Sequence, residues 1–192
     1  MTTDRERVGG VVLAQRPRRA DARRNFDALL AAARAAFADK GAEASLEDIA
    51  RRAGVGIGTL YRNFPTRQVL FETVYAEEVD ALCLLADELA DTAEPWEALV
   101  AWLRRFVDYT VTKRAIREAL SGESEIFTAC RGAMLDAGEP LLRRAREAGE
   151  ARADLSFDDL LRMVSGVTAA AYVDEAQRDR VLGYALDGIR AR

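Results

Sequence analysis

Histidine is absent from all 192 residues. That absence removes the imidazole general base, the imidazole metal ligand and every Ser-His or Cys-His nucleophile system. Cysteine is scarce: Cys83 and Cys130 lie far apart and belong to no Cys-x-x-Cys pair, which argues against a disulfide framework and a structural zinc site. Both are expected as reduced thiols in helices. No apolar run approaches the roughly 20 residues a membrane-spanning helix needs, and Met1 to Arg19 contains no apolar stretch of signal-peptide length, so a cytoplasmic location is expected. Gly56-Ile57-Gly58 lacks the third glycine and preceding strand of a dinucleotide fingerprint, and no Gly-x-x-x-x-Gly-Lys loop occurs. Carboxylates such as Glu123, Glu125 and Asp136 remain, but acidic residues on helices are usually solvated. Neither enzyme activity nor a cofactor or metal is expected.

What is present is a chain with 49% hydrophobic residues, enough for one substantial core and a small module. The net charge of −4 looks unfavourable for binding phosphates, but it is unevenly spread. Residues 1–67 hold 13 Lys+Arg against 8 Asp+Glu (+5), leaving 15 against 24 (−9) for residues 68–192. A basic head on an acidic body follows.

Residues 1–20 mix Arg, Thr, Gly and Asp without sustained period and read as a flexible basic arm, its cluster Arg16, Arg18 and Arg19 a candidate for phosphate contact. From Asp21 the apolar positions Phe26, Leu29, Leu30, Ala33 and Phe37 recur at helical spacing up to Gly41. Ser45 with Asp48 resembles a capping box and opens a short helix carrying Leu46, Ile49, Ala50 and Ala53. Gly54 ends it, and a second short helix from Ile57 to Phe64 stops at Pro65. Two short helices about a tight glycine turn make a helix-turn-helix, with Ile49, Val55 and Leu60 fastening them to Phe26, Leu30 and Phe37. Further helices are expected over 68–90, 95–112, 123–135, 138–148, 157–173 and 174–189. No strand alternation flanked by hairpin turns is evident. The expected fold is all-α: a three-helix helix-turn-helix head over 21–67 and a larger helical domain over 68–192.

The stretch from Leu46 to Phe71, LEDIARRAGVGIGTLYRNFPTRQVLF, resembles the tetracycline-repressor (TetR) family of bacterial regulators. The resemblance is carried by Ala50, Ala53, Gly54, Val55, Gly58, Thr59, Leu60, Tyr61, Phe64, Arg67 and Leu70, with Phe37 and Gly41 upstream. It covers about residues 21–71; the rest of the chain matches only in length and helical character. It implies that the helix from Ile57 to Phe64 lies in the major groove of double-stranded DNA. The implied contacts are Ser45, Ile57, Gly58, Thr59, Tyr61, Arg62, Asn63 and Arg67. Tyr61, Arg67 and Ser45 would meet phosphates mainly, Thr59 either phosphate or base. Asn63 and Arg62 have the donors to read adenine and guanine, and Ile57 an apolar surface for a thymine methyl. Leu60 and Phe64 point inward as core.

A homodimer on a near-palindromic operator is expected, joined through the last two helices as a four-helix bundle. Leu161, Val164, Leu182, Leu186 and Ile189 supply apolar area there, and Gly166 and Ala170, in a run of small residues, allow close approach. A small, largely apolar effector is expected in the body, where Trp102, Phe106, Tyr109, Phe127, Met134, Met163 and Tyr172, with Trp96, supply aromatic and flexible surfaces. Release from the operator, and hence repression, is the family's usual mode. A thiol-based redox regulator acting through Cys83 or Cys130 is the alternative, but neither cysteine has an evident cationic partner in sequence. A ligandless architectural DNA binder has little use for so large a body.

Overall fold

The computed structural model describes residues 16–119 and 125–191. The greater part of the expected arm, and Glu123, lie outside the described residues. These residues form eight α-helices: α1 Ala20–Lys40, α2 Leu46–Arg52, α3 Ile57–Asn63, α4 Arg67–Thr92, α5 Pro95–Ala119, α6 Glu125–Glu147, α7 Phe157–Ala169 and α8 Glu175–Asp187. A 3-10 turn at Gly41–Glu43 follows α1. The all-α expectation holds. The chain divides into two compact units, one comprising Met1–Asp80 with Val111–Cys130, the other Ala81–Thr110 with Arg131–Arg192. The division falls inside α4, α5 and α6.

In the first unit the apolar face of α1 buries Phe26, Leu29, Leu30, Ala33, Ala36 and Phe37. Phe26 meets Phe64 with ring centroids 4.9 Å apart, and Phe37 meets Phe71 at 4.1 Å. Ile49, Leu60 and Leu70 are fully buried among the core residues, while Val55 is only half-buried. Ser45 caps α2 by accepting a hydrogen bond from the Asp48 amide at 3.1 Å. Gly54 turns the chain at φ +70°, a left-handed conformation that a Cβ would strain, and the Val55 amide closes the turn on the Ala50 carbonyl at 3.0 Å. Thr66 accepts from the Val69 amide at 3.2 Å and so starts α4 directly after Pro65.

The second unit packs Trp102, Leu103 and Phe106 of α5 with Met134, Leu141 and Leu142 of α6, Phe157, Leu160 and Val164 of α7, and Leu182 and Leu186 of α8, all buried. Trp102 stacks on Phe106 at 5.6 Å and lies 5.5 Å from Phe157, and its indole N–H donates to the Leu82 carbonyl at 2.9 Å. The chain end is tied back by a bridge between Ala151 and Arg190 and by the Ala191 amide donating to the Glu150 carbonyl at 3.0 Å.

Three expected helix limits differ. The two helices anticipated over 123–135 and 138–148 are one helix, α6, running through Gly138 and Pro140. Gly138 is no helix stop: it lies in the core, where a Cβ would overlap the Phe157 ring, so its small size lets α6 approach the start of α7. Pro140 inside a helix costs about 3 kcal/mol. Burial of Met134, Leu141 and Leu142 on the same helix, at about 1.5–3 kcal/mol each, outweighs it. Helix α5 continues past residue 112 to Ala119, with Ile116 keeping the buried period. Helix α7 ends at Ala169 instead of 173: the backbone turns extended at Ala170, and the Val167 carbonyl accepts from the Ala170 amide and, at 2.6 Å, from the Tyr172 hydroxyl outside the helix.

Candidate nucleic-acid interface

Helix α3 has two unlike faces. Leu60 on the helix and Phe64 just after it are fully buried, whereas Ile57 is 39% and Tyr61 47% exposed, with Gly58 and Arg62 exposed beside them. Large apolar and aromatic groups facing water on a helix only two turns long are a cost unless something covers them. Gly58 has an ordinary helical φ, and a Cβ built there meets nothing within 4 Å. The fold of this chain therefore does not require a glycine at position 58.

The polar side chains on α3 are held against their own helix. Arg62 donates through Nε to the Gly58 carbonyl and through Nη2 to the Thr59 hydroxyl, each at 3.1 Å. Asn63 is half-buried and its amide nitrogen donates to the Thr59 carbonyl at 2.7 Å, satisfying an acceptor in the last turn. Asn63 thus has a local structural task beside the base-reading role the resemblance implies. Ser45 is exposed and accepts from the Asp48 amide, which leaves its O–H to donate elsewhere. Arg67, half-buried at the start of α4, lies over the Phe71 ring at 4.8 Å. Ser45, Arg67 and the α3 residues all belong to the first unit.

Asp48, not singled out by sequence reasoning beyond its capping role, organises the cations behind this surface. It accepts from Arg52 Nε at 2.8 Å, pairs with Arg51, and lies 3.5 Å from Lys40, while Arg52 also reaches Asp39 at 3.0 Å. Burial works against the charged carboxyl, but the hydrogen bonds from Arg52 and Arg51 and the charges of Arg52 and Lys40 hold its pKa below the usual carboxylate value. Bonds to Asp39 and Asp48 raise that of Arg52. The network ties the end of α1 to α2. Its sequence signal is the acid–base spacing Asp48-Arg51-Arg52, at i, i+3 and i, i+4 on one helix.

Of the residues expected to line an effector site, four are core residues in this structure and three are half-buried. Trp102 and Tyr109 are fully buried, Phe106 and Met134 nearly so, and Met163 and Tyr172 are half-buried, all within the second unit. Phe127 is elsewhere: it packs edge-on against Tyr75 at 4.8 Å within the first unit. Trp96 carries the Arg190 guanidinium over its ring at 4.8 Å. Of the residues expected at a dimer interface, Leu161, Val164, Leu182, Leu186 and Ile189 are at most 5% exposed, so their side chains belong to the chain's own core; Gly166 and Ala170 are exposed. Sequence reasoning missed Val173, 90% exposed, and Tyr184, 71% exposed. The signal for Tyr184 was present, since it falls between Leu182 and Leu186 and off their helical stripe. Cys83 is half-buried, its thiol 3.6 Å from the Ala133 carbonyl, and Cys130 is buried.

Among the described residues no helix is long and apolar enough to cross a membrane, and no group of three or more Cys, Asp or Glu is arranged to hold a metal. Residues 29–74 match the family described as bacterial regulatory proteins, tetR family, and residues 94–191 match the C-terminal domain described as SbtR-like transcriptional regulator. Two solved structures are similar over nearly their whole length. One is a TetR transcriptional regulator from Streptomyces coelicolor, 40% identical with TM-score 0.75, covering 86% of this chain and 98% of that one. The other is a TetR transcription regulatory protein from Mycobacterium vanbaalenii, 32% identical with TM-score 0.74, covering 91% and 100%.

Proposed function

The chain belongs to the tetR family of DNA-binding transcriptional regulators, and we propose that it represses transcription as a homodimer on a near-palindromic operator and is released by a small, largely apolar effector. The observation that carries the DNA-binding half is the outward face of α3, where Ile57, Gly58, Tyr61 and Arg62 are exposed over a buried Leu60 and Phe64. We assign base-edge and methyl contacts to Ile57, Gly58, Thr59 and Arg62, and phosphate contacts to Tyr61, Ser45 and Arg67. Asn63 joins them through its second amide N–H and its Oδ1, since its bond to the Thr59 carbonyl uses one N–H. The experiment is recovery of bound sequences from random duplexes. An inverted repeat, with half-sites one helical turn or a multiple apart, supports the reading; failure to enrich any sequence contradicts it.

The dimer face we propose is the outward side of α7, α8 and the segment between them: Gly166, Ala170, Val173 and Tyr184. Leu161, Val164, Leu182, Leu186 and Ile189 form the core that supports it from within. Val173→Glu with Tyr184→Glu should yield folded monomers in sedimentation at concentrations where the wild type is dimeric. An unchanged sedimentation coefficient would move the interface elsewhere.

For the effector, the apolar side chains of the second unit around Phe106, Tyr109, Met134, Met163 and Tyr172, beside Trp102, offer the matching surface. Helix α4 is continuous from Phe71 in the first unit to Leu82 in the second, whose carbonyl receives the Trp102 N–H. A ligand that shifts Trp102 therefore acts on the helix that also carries Arg67 and Phe71. It must favour the DNA-incompetent form, and typical couplings are about 1–3 kcal/mol.

A further inference from the structure

The stretch entering α1 is rich in arginine, and its members differ in what they are bound to. Arg16 is committed to Asp27, with Nη2 at 2.6 Å and Nε at 3.0 Å from one carboxylate oxygen. Arg24 pairs with Asp21 one turn away. Both acids of the stretch are therefore occupied. Arg18, Arg19 and Arg23 are exposed, and none has a carboxylate partner among the described residues.

Their place on the head follows from the aromatic packing. Phe26 on α1 touches Phe64, which directly follows α3. Arg23 and Arg19 precede Phe26 by three and seven residues, so at 1.5 Å per residue they lie about 5 and 10 Å further along α1 on the same side. Arg19 and Arg23, with Arg18 directly before them, thus lie on the stretch of α1 that leads up to the Phe26–Phe64 contact at the C-terminal end of α3, without a carboxylate partner among the described residues and in the same compact unit as Tyr61 and Arg67. Concentrated positive charge continuous with a helix already assigned to a duplex fits the sugar–phosphate backbone, because Arg forms bidentate, charge-assisted bonds to phosphate.

We propose that Arg18, Arg19 and Arg23 form a second DNA contact, a sequence-independent clamp on the phosphates flanking each half-site. This inference rests on the assignment of α3 to DNA and adds residues to that interface. Arg16, neutralised by Asp27, takes no part.

The test uses the full chain carrying Arg18→Ala, Arg19→Ala and Arg23→Ala, with Arg16→Ala as the matched control. Alanine is a better helix former than arginine, so α1 is retained. Affinity is measured across a salt series on the duplex selected by the wild type and on a random duplex of equal length. The triple variant should lose affinity on both by a similar factor of about 10 to 100. Its plot of log affinity against log salt should be shallower by about 0.9 for each phosphate no longer neutralised. Arg16→Ala should leave the slope unchanged. Wild-type binding with the same slope in the triple variant overturns the clamp while leaving the α3 reading intact. So does an equal per-residue effect from Arg16→Ala, which would mean that net charge alone matters. Failure of the wild type to bind any duplex overturns both.

Discussion

Arg34→Met should destabilise the protein by about 3–5 kcal/mol, and by clearly more than Glu78→Gln does. The two residues form an ion pair between α1 and α4, with Glu77 3.7 Å from the same guanidinium. The pair is asymmetric. Glu78 is 3% exposed at its side chain, whereas Arg34 is 44% exposed. Removing the glutamate charge leaves a guanidinium that can turn into water. Removing the arginine takes a cation away from the buried Glu78 carboxylate and from Glu77, whose own pKa burial already raises against the opposing charges of Arg34 and Arg16. Arg34→Met with Glu78→Leu should recover most of the loss, since a packed apolar pair often matches or exceeds a buried ion pair. Urea unfolding of the four proteins measures this. Equal losses from the two single variants would show that burial does not govern the pair.

Gly58→Glu should weaken DNA binding by about 100-fold or more, on the order of 3 kcal/mol, without lowering the stability of the free protein. A glycine within a helix normally costs about 0.5–1 kcal/mol relative to alanine, and at position 58 the chain gains no packing in return, because the space a Cβ would enter is open. The advantage of glycine must lie with something outside the chain that approaches the helix closely. Gly58→Ala should therefore raise the melting temperature and lower operator affinity together, and Gly58→Glu adds like-charge repulsion with phosphate. Thermal unfolding and a binding titration on the same samples separate the two effects. Undiminished binding by Gly58→Glu would remove α3 from the interface.

Much of the head is legible in the sequence. The helix-turn-helix could be read because its signals are local: Ser45 capping on Asp48, the left-handed turn at Gly54, and Pro65 after α3 each act within a few residues. The inward roles of Leu60 and Phe64 followed from helical period and hold in the structure. The helix limits differed where a residue's meaning depends on a distant neighbour. Gly138 and Pro140 carry the sequence marks of a break, and only the Phe157 ring above Gly138 explains why the helix continues. Apolar content in α7 and α8 likewise does not tell which stripe faces the chain's own core. Leu161, Val164, Leu182, Leu186 and Ile189 face inward, and the outward residues are Val173 and Tyr184. Buried aromatics in the second unit were legible as aromatics, but sequence does not separate a packed ring from one that lines a ligand.

The most direct test of the central claim, that the outward face of α3 reads DNA, is photocrosslinking from position 57. A photoreactive phenylalanine analogue replaces Ile57 in one sample and Tyr184 in a control, each bound to the selected duplex and irradiated. The account predicts crosslinks from position 57 to bases within each half-site and none from position 184. Operator-bound protein that crosslinks from position 184 but not from position 57 would contradict it.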